Sequence, residues 1–201
     1  MKKWDSHKID FIYNSNRIEE IDYPKSIYGK DTLISEVKGH SDAYDYMVAN
    51  SNKKLTEKHI LMMHKLLTNE LLPTETSGHY RKCRVFIGGR EGTLAIAIKQ
   101  EMQQLIKLCN KARSEKQCWN CHDEFEIIHP FVDGNGRTGR LILNWLRLHN
   151  GYPIFVVKHT DDMRWDYYRK IEEYRQQKQL LLYAMEMDII SNQGVDKKRK
   201  K

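Results

Sequence analysis

A chain of 201 residues, 40% hydrophobic and 30% charged, holds enough apolar material for one substantial core and reads as a single domain. No apolar run approaches the roughly 20 residues of a membrane helix, which excludes a helical span, and no apolar stretch follows the basic start as in a secretory signal, so a cytoplasmic location is expected. The formal charge of +7 gives little support to nucleic-acid binding, because five of the last six residues are basic and residues 195–201 read as a solvated, disordered tail.

Apolar residues three and four apart predict a mainly α protein. Ile9, Ile12 and Tyr13 start an apolar stripe, and Ser15 through Ile21 continues it as a short polar-rich helix that ends before Pro24. Asp31 to Val48 and Leu55 to Leu72 follow as two helices that pack together, the second with Thr56 as N-cap and Pro73 beyond its end. Gly78 to Gly92 breaks this rhythm. Its β-formers run into the pair Gly88-Gly89, which predicts a short hairpin or flap. Helices resume from Leu94 to Ala112 and from Cys118 to Ile128, where Pro130 stops the second. The apolar run Leu141 to Leu148 reads as a core helix that ends at Asn150-Gly151 with a left-handed cap. Two further helices, Asp161 to Gln177 and Leu180 to Ile190, close the domain.

Cys83, Cys109, Cys118 and Cys121 are too few for a disulfide framework in a chain this long and are expected to be reduced. Cys118-Trp-Asn-Cys121-His122 spells a haem-attachment pattern. Nothing signals the export that haem attachment requires, and His122, Phe125 and Ile128 instead follow the rhythm of one buried helical face, so no haem is expected.

Chemistry concentrates in His129-Pro-Phe-Val-Asp133-Gly134-Asn135-Gly136-Arg137-Thr-Gly-Arg140. Pro130 disfavours helical geometry at His129, which places the imidazole at a helix C-terminus, where partial negative charge favours the protonated form and makes a competent base. Gly134 and Gly136 let the backbone turn with its N–H groups open at the start of the next helix, a cradle for phosphate. Asp133 offers the hard oxygen that Mg²⁺ (or Mn²⁺) takes, and Arg137 and Arg140 lie three apart on the first turn, toward one anion. Spacing alone reaches a magnesium and phosphate site beside a base. No Walker-type loop competes for the nucleotide.

This string resembles, at every defining position, the signature H-x-F-x-[DE]-G-N-G-R-x-x-R of Fic (Fic/DOC) proteins. Phe11-Ile-Tyr-Asn-Ser-Asn-Arg-Ile-Glu19, Gly78-His-Tyr-Arg81, Val85-Phe-Ile-Gly-Gly89, His122-x-x-Phe125 and Arg164-Trp-Asp-Tyr-Tyr168 resemble further family segments. The resemblance implies a Fic-fold helical bundle with a short β-hairpin flap. Residues 1–24 would form an N-terminal inhibitory helix region, 25–194 the catalytic core and 195–201 the tail. The implied activity is that of a protein adenylyltransferase, which moves AMP from ATP to a hydroxyl of a target protein, with His129 as base and Asp133 on the metal. Asn135 and the amides of Gly134 and Gly136 would hold the α-phosphate, Arg137 and Arg140 the β and γ groups, and Tyr167 would border the adenosine. Val85, Phe86 and Ile87 of the flap would dock the target's backbone. Ser15-x-x-x-Glu19 matches the family's inhibitory motif, with Glu19 expected on Arg140, while Glu20 departs from the usual Gly or Asn. AMP removal, Doc-like phosphotransfer and, from another class, a regulator that binds nucleic acid through its tail are the competing readings. A homodimer is compatible with all of them.

Overall fold

The computed structural model describes residues 5–29 and 34–199, with side chains through residue 185. Seven α-helices and one two-stranded hairpin are found among these: α1 (Ser6–Ile18), α2 (Ser35–Asn50), α3 (Glu57–Thr68), β1 (Phe86–Ile87), β2 (Arg90–Glu91), α4 (Ile98–Cys109), α5 (Glu115–Ile128), α6 (Asn135–His149) and α7 (Asp161–Arg199). None of these helices is long and apolar enough to cross a membrane.

The helix α6 forms the centre. Leu141, Ile142, Leu143 and Trp145 are all fully buried, and a helix apolar around most of its circumference needs neighbours on every side. It touches α1, α2, α3 and α5, while α4 and α7 pack against α5. Gly151, with φ 79°, supplies the left-handed residue after its end. Capping boxes fix two other starts: Thr56 with His59 opens α3, and Ser114 with Gln117 opens α5, three residues ahead of the expected start at Cys118.

The remaining boundaries also differ from expectation for local reasons. Asp5 accepts a hydrogen bond from the Lys8 amide at 2.8 Å, so α1 starts at Ser6 and stops at Ile18 rather than running on to Ile21. Asp31 lies outside the described residues, and α2 begins after an extended Ile34. Leu71 and Leu72 turn back onto the Thr68 carbonyl, which ends α3 early. Leu94 to Ala97 forms a separate turn before α4. The two expected C-terminal helices are one, because Gln177-Lys178-Gln179 contains no residue that breaks a helix. The basic tail begins inside α7; its side chains and residues 200 and 201 lie outside the described residues.

Cys118, Cys121 and His122 are core residues. Both nitrogens of His122 are engaged: Nδ1–H donates to Asp123 Oδ1 at 2.8 Å, and Nε2 accepts from the Tyr167 hydroxyl at 2.9 Å.

Candidate active site

Pro130 forbids another helical turn, and α5 ends at His129 in a left-handed conformation, φ 49° and ψ 63°. Arg81, almost fully buried, locks this end. Its Nε donates to the His129 carbonyl at 2.7 Å, Nη1 to Cys83 and Nη2 to Thr93, so one guanidinium ties the end of α5 to both legs of the hairpin. His64 on α3 supports the following loop. The Gly78 amide donates to its Nδ1 at 2.9 Å, which leaves Nε2–H to donate to the Asp133 carbonyl at 3.0 Å, and its ring stacks on Phe131 at 3.7 Å.

Asn135 closes the loop on itself. Its Oδ1 accepts from the Phe131 amide and its Nδ2 donates to the Phe131 carbonyl, both at 2.9 Å. The side chain expected on a phosphate therefore also holds the turn, with one Nδ2–H on the Phe131 carbonyl and the second N–H beyond that bond. Gly134, with φ 73°, is the N-cap of α6 and offers no side chain, so the first-turn amides stay open, as an anion cradle requires. Asp133 is exposed, takes the Gly134 amide at 2.6 Å, and stands 3.7 Å from Arg137 Nη2. Arg137 is buried, with Nε and Nη1 unpartnered.

Arg140 is the best-anchored group of the site. Nε donates to Ser15 Oγ at 2.8 Å, and Nη2 donates to the Ser15 carbonyl at 2.9 Å and to Glu19 Oε1 at 2.7 Å. Nη1 donates to the Tyr167 hydroxyl at 3.5 Å. A continuous chain therefore joins four helices: Glu19 at the end of α1, Arg140 on α6, Tyr167 on α7, then His122 and Asp123 on α5.

His129 Nδ1 donates to the Glu126 carbonyl at 3.3 Å, so Nε2 is the bare, basic nitrogen. Burial lowers the imidazole below its ordinary value, against the pull of that carbonyl. This corrects the expectation that the helix end would favour the charged form: desolvation wins, and the ring is neutral at pH 7. A neutral imidazole can take a proton at once.

A cavity of about 210 Å³ collects Glu19, Ile87, Glu126, His129, Gly136, Arg140, Tyr167, Tyr168, Ile171 and Arg175. Of the residues singled out by sequence, Glu19, Ile87, His129, Gly136, Arg140 and Tyr167 line it. Ser15, Asp133, Gly134, Asn135 and Arg137 lie behind or beside it, and Val85 and Phe86 face elsewhere on the flap, Phe86 being largely exposed. Sequence reading missed Glu126 and His64, and on α7 it missed Ile171 and Arg175; Arg81 and Tyr168 it placed only within segments that resemble the family. Ile171 and Arg175 follow Tyr167 by four and eight residues, a helical spacing that could have found them.

The chain matches the Fic/DOC family profile over residues 54–146. It is 31% identical over 144 residues to a Protein adenylyltransferase Fic of Drosophila mojavensis, across 68% of this chain and 28% of that protein. To the protein of the same name from Drosophila melanogaster it is 30% identical over 148 residues, across 68% of this chain and 29% of that one. The chain thus spans less than a third of the length of these curated relatives. Its fold resembles a Fic domain containing signaling protein from Bacteroides thetaiotaomicron, with TM-score 0.70 and 23% identity over 82% of this chain and 71% of that one. A Fic family protein from Desulfovibrio desulfuricans gives TM-score 0.62 and 25% identity over 84% and 55%. With the signature loop, the helical fold and these relatives in agreement, the chain belongs to the Fic/DOC family.

Proposed function

We propose that this chain transfers AMP from ATP to a hydroxyl side chain of a protein, and that Glu19 holds the activity in check. The observation that carries this reading is the position of the neutral His129 in one cavity with the open start of α6 and with an Arg140 already occupied by a carboxylate. His129 Nε2 would take the proton of the target hydroxyl, whose oxygen forms a bond to the α-phosphorus as the bond to the leaving pyrophosphate breaks. The amides of α6 meet the charge that develops on the α-phosphate, and Arg140 and Arg137 supply positive charge to the β and γ groups. The buried Nε and Nη1 of Arg137, without hydrogen-bond partners in the fold, suit an anion.

The donor set fits Mg²⁺ or Mn²⁺: Asp133 is a single exposed carboxylate beside an open helix start, and Mg²⁺ is commonly held by one carboxylate, water and phosphate oxygens. When bound there, the ion would neutralise phosphate charge. The cavity is smaller than the roughly 300 Å³ at the low end of ligand sites, and a Cβ on Gly136 would collide with Glu19 Oε1, so the Glu19 carboxylate stands against the first turn of α6. ATP and this carboxylate compete for one guanidinium. The flap, tied to α7 by Arg90 and Glu172 at 2.5 Å, presents Phe86 to a docking target.

Incubation of the protein with α-labelled ATP, Mg²⁺ and cell lysate tests the reading. Glu19→Gly should raise protein labelling at least about tenfold, the factor that ~1.4 kcal/mol carries, and His129→Ala should abolish it. Absence of labelling in every form would sink the proposal. Label from γ-labelled but not α-labelled ATP would replace it with phosphotransfer.

A further inference from the structure

The transfer just described gives Glu126 no task, yet this carboxyl sits in the cavity wall. Glu126 lies three residues before His129 on α5, is 8% exposed, and lines the cavity with His129, Gly136 and Arg140. Its Oε1 is buried without a hydrogen-bond partner. His122 Nε2, 3.7 Å away, already accepts from Tyr167. The fold makes room for this oxygen, since a Cβ on Gly139 would collide with it. A buried carboxyl without partners is costly, and an apolar side chain would fill the same space without that cost.

We propose that Glu126 is a proton-coupled positioning residue of the nucleotide pocket: it takes up a proton when a polyphosphate replaces the Glu19 carboxylate beside Arg140. The inference rests on the reading that phosphates bind at Arg140, not on the transfer of AMP.

The charges that face Glu126 come from every helix around it: Glu19 at the end of α1, His122, Asp123 and His129 on α5, Arg140 on α6, and Tyr167 and Arg175 on α7. Burial pushes the carboxyl up to about 7; His122 and Arg140 pull it down, and Glu19 and Asp123 push it up. In the nucleotide-free pocket, Arg140 is, beside His122, a charge that favours an ionised Glu126. Polyphosphate, even in its magnesium complex, brings more negative charge to Arg140 than the single carboxylate it displaces. The field at Glu126 becomes more negative, and a proton from solvent joins its carboxyl. The neutral carboxyl no longer repels the phosphates, and its O–H can donate to one of them. The proton returns to solvent when the phosphates leave.

Linkage makes this measurable. A proton taken up on binding weakens affinity as pH rises above the free-state value, toward a tenfold loss per pH unit. Titration calorimetry of Mg-ATP into full-length Glu19→Gly and Glu19→Gly/Glu126→Gln proteins, from pH 6.5 to 8.5, reads it directly. Loss of Glu19 removes one upward push, so the rise begins somewhat below pH 7 in this background. The expected result is a Kd that climbs severalfold to tenfold per pH unit with Glu126 present, and stays within about twofold across the range in the protein that also carries Glu126→Gln. At pH 7 the binding heat should depend on the buffer's ionisation heat only when Glu126 is present. A residue with a purely structural role would alter thermal stability and leave both slopes alike. Equal slopes, or pH-independent ATP binding with Glu126 intact, would overturn the proposal and leave AMP transfer standing. Failure of both proteins to bind Mg-ATP would overturn it together with the nucleotide reading.

Discussion

At position 20 the family resemblance expects Gly or Asn, and the chain has Glu. The reason for the usual residues is visible in the backbone: Glu20 adopts φ 62°, the left-handed region that Gly and Asn enter most readily, just after α1 ends. An L side chain with a Cβ pays roughly 1–2 kcal/mol there. What Glu20 receives in return is an exposed ion pair with Arg164 Nη2 at 2.9 Å, worth under about 1 kcal/mol. Glu20→Gly should therefore stabilise the protein by about 1 kcal/mol, read as a rise of a few degrees in the thermal midpoint. A fall in the midpoint would show that the link to α7 outweighs the strain. The same balance explains why Glu19 reaches Arg140 despite the departure beside it: the helix stops before position 20, so Glu20 does not disturb the register of Ser15 and Glu19.

At the scale of elements, the parts governed by local chemistry were legible in the sequence. Thr56 as N-cap, Pro130 as a stop, Gly88-Gly89 as a hairpin turn and the apolar circumference of α6 each act within a few residues. The parts governed by distant partners were not. Arg81 reads only as the end of a flap segment that resembles the family, and only the fold brings it to the carbonyls of His129, Cys83 and Thr93. Asn135 reads as a phosphate ligand, and only the fold shows that its side chain also braces the Phe131 backbone. Because Arg81 fixes the end of α5 and the flap together, Arg81→Lys is a sharp test. A single ammonium cannot span three carbonyls in different directions, and each buried carbonyl left unmet costs about 1–3 kcal/mol. The expected outcome is a loss of about 2 kcal/mol in urea unfolding, faster proteolysis within residues 82–93, and a fall of at least about tenfold in AMP transfer from the loosened placement of His129. A variant that loses stability but keeps its transfer rate would limit Arg81 to holding the fold.

For the whole molecule, burial of titratable groups around the motif sets a stability that depends on pH in two opposed ways. His64 is held down to about 4 and His40 well below its ordinary 6.5, both chiefly by burial. Below pH 6.5 the unfolded chain binds protons that these folded imidazoles refuse, so their contribution is lost as pH falls from 6.5 toward 4. Glu126 works in the other direction. Its folded carboxyl is raised from 4.5 to about 7, so the unfolded chain releases a proton first, and stability is lost as pH rises from 4.5 to 7. A shift of that size corresponds to up to about 3 kcal/mol at pH 7 and above. Glu126→Gln removes this loss while it keeps the shape. The variant should match the parent near pH 4.5 and exceed it by up to about 3 kcal/mol at pH 8, with the acid-side decline from His40 and His64 unchanged, as measured by urea unfolding at pH 4.5, 6, 7 and 8. A constant difference at all pH values would mean that Glu126 does not titrate in this range, and the carboxyl would then be neutral or charged throughout. A difference that grows with pH would show a fold that gives up stability at neutral pH to keep an ionisable carboxyl against its active-site cavity.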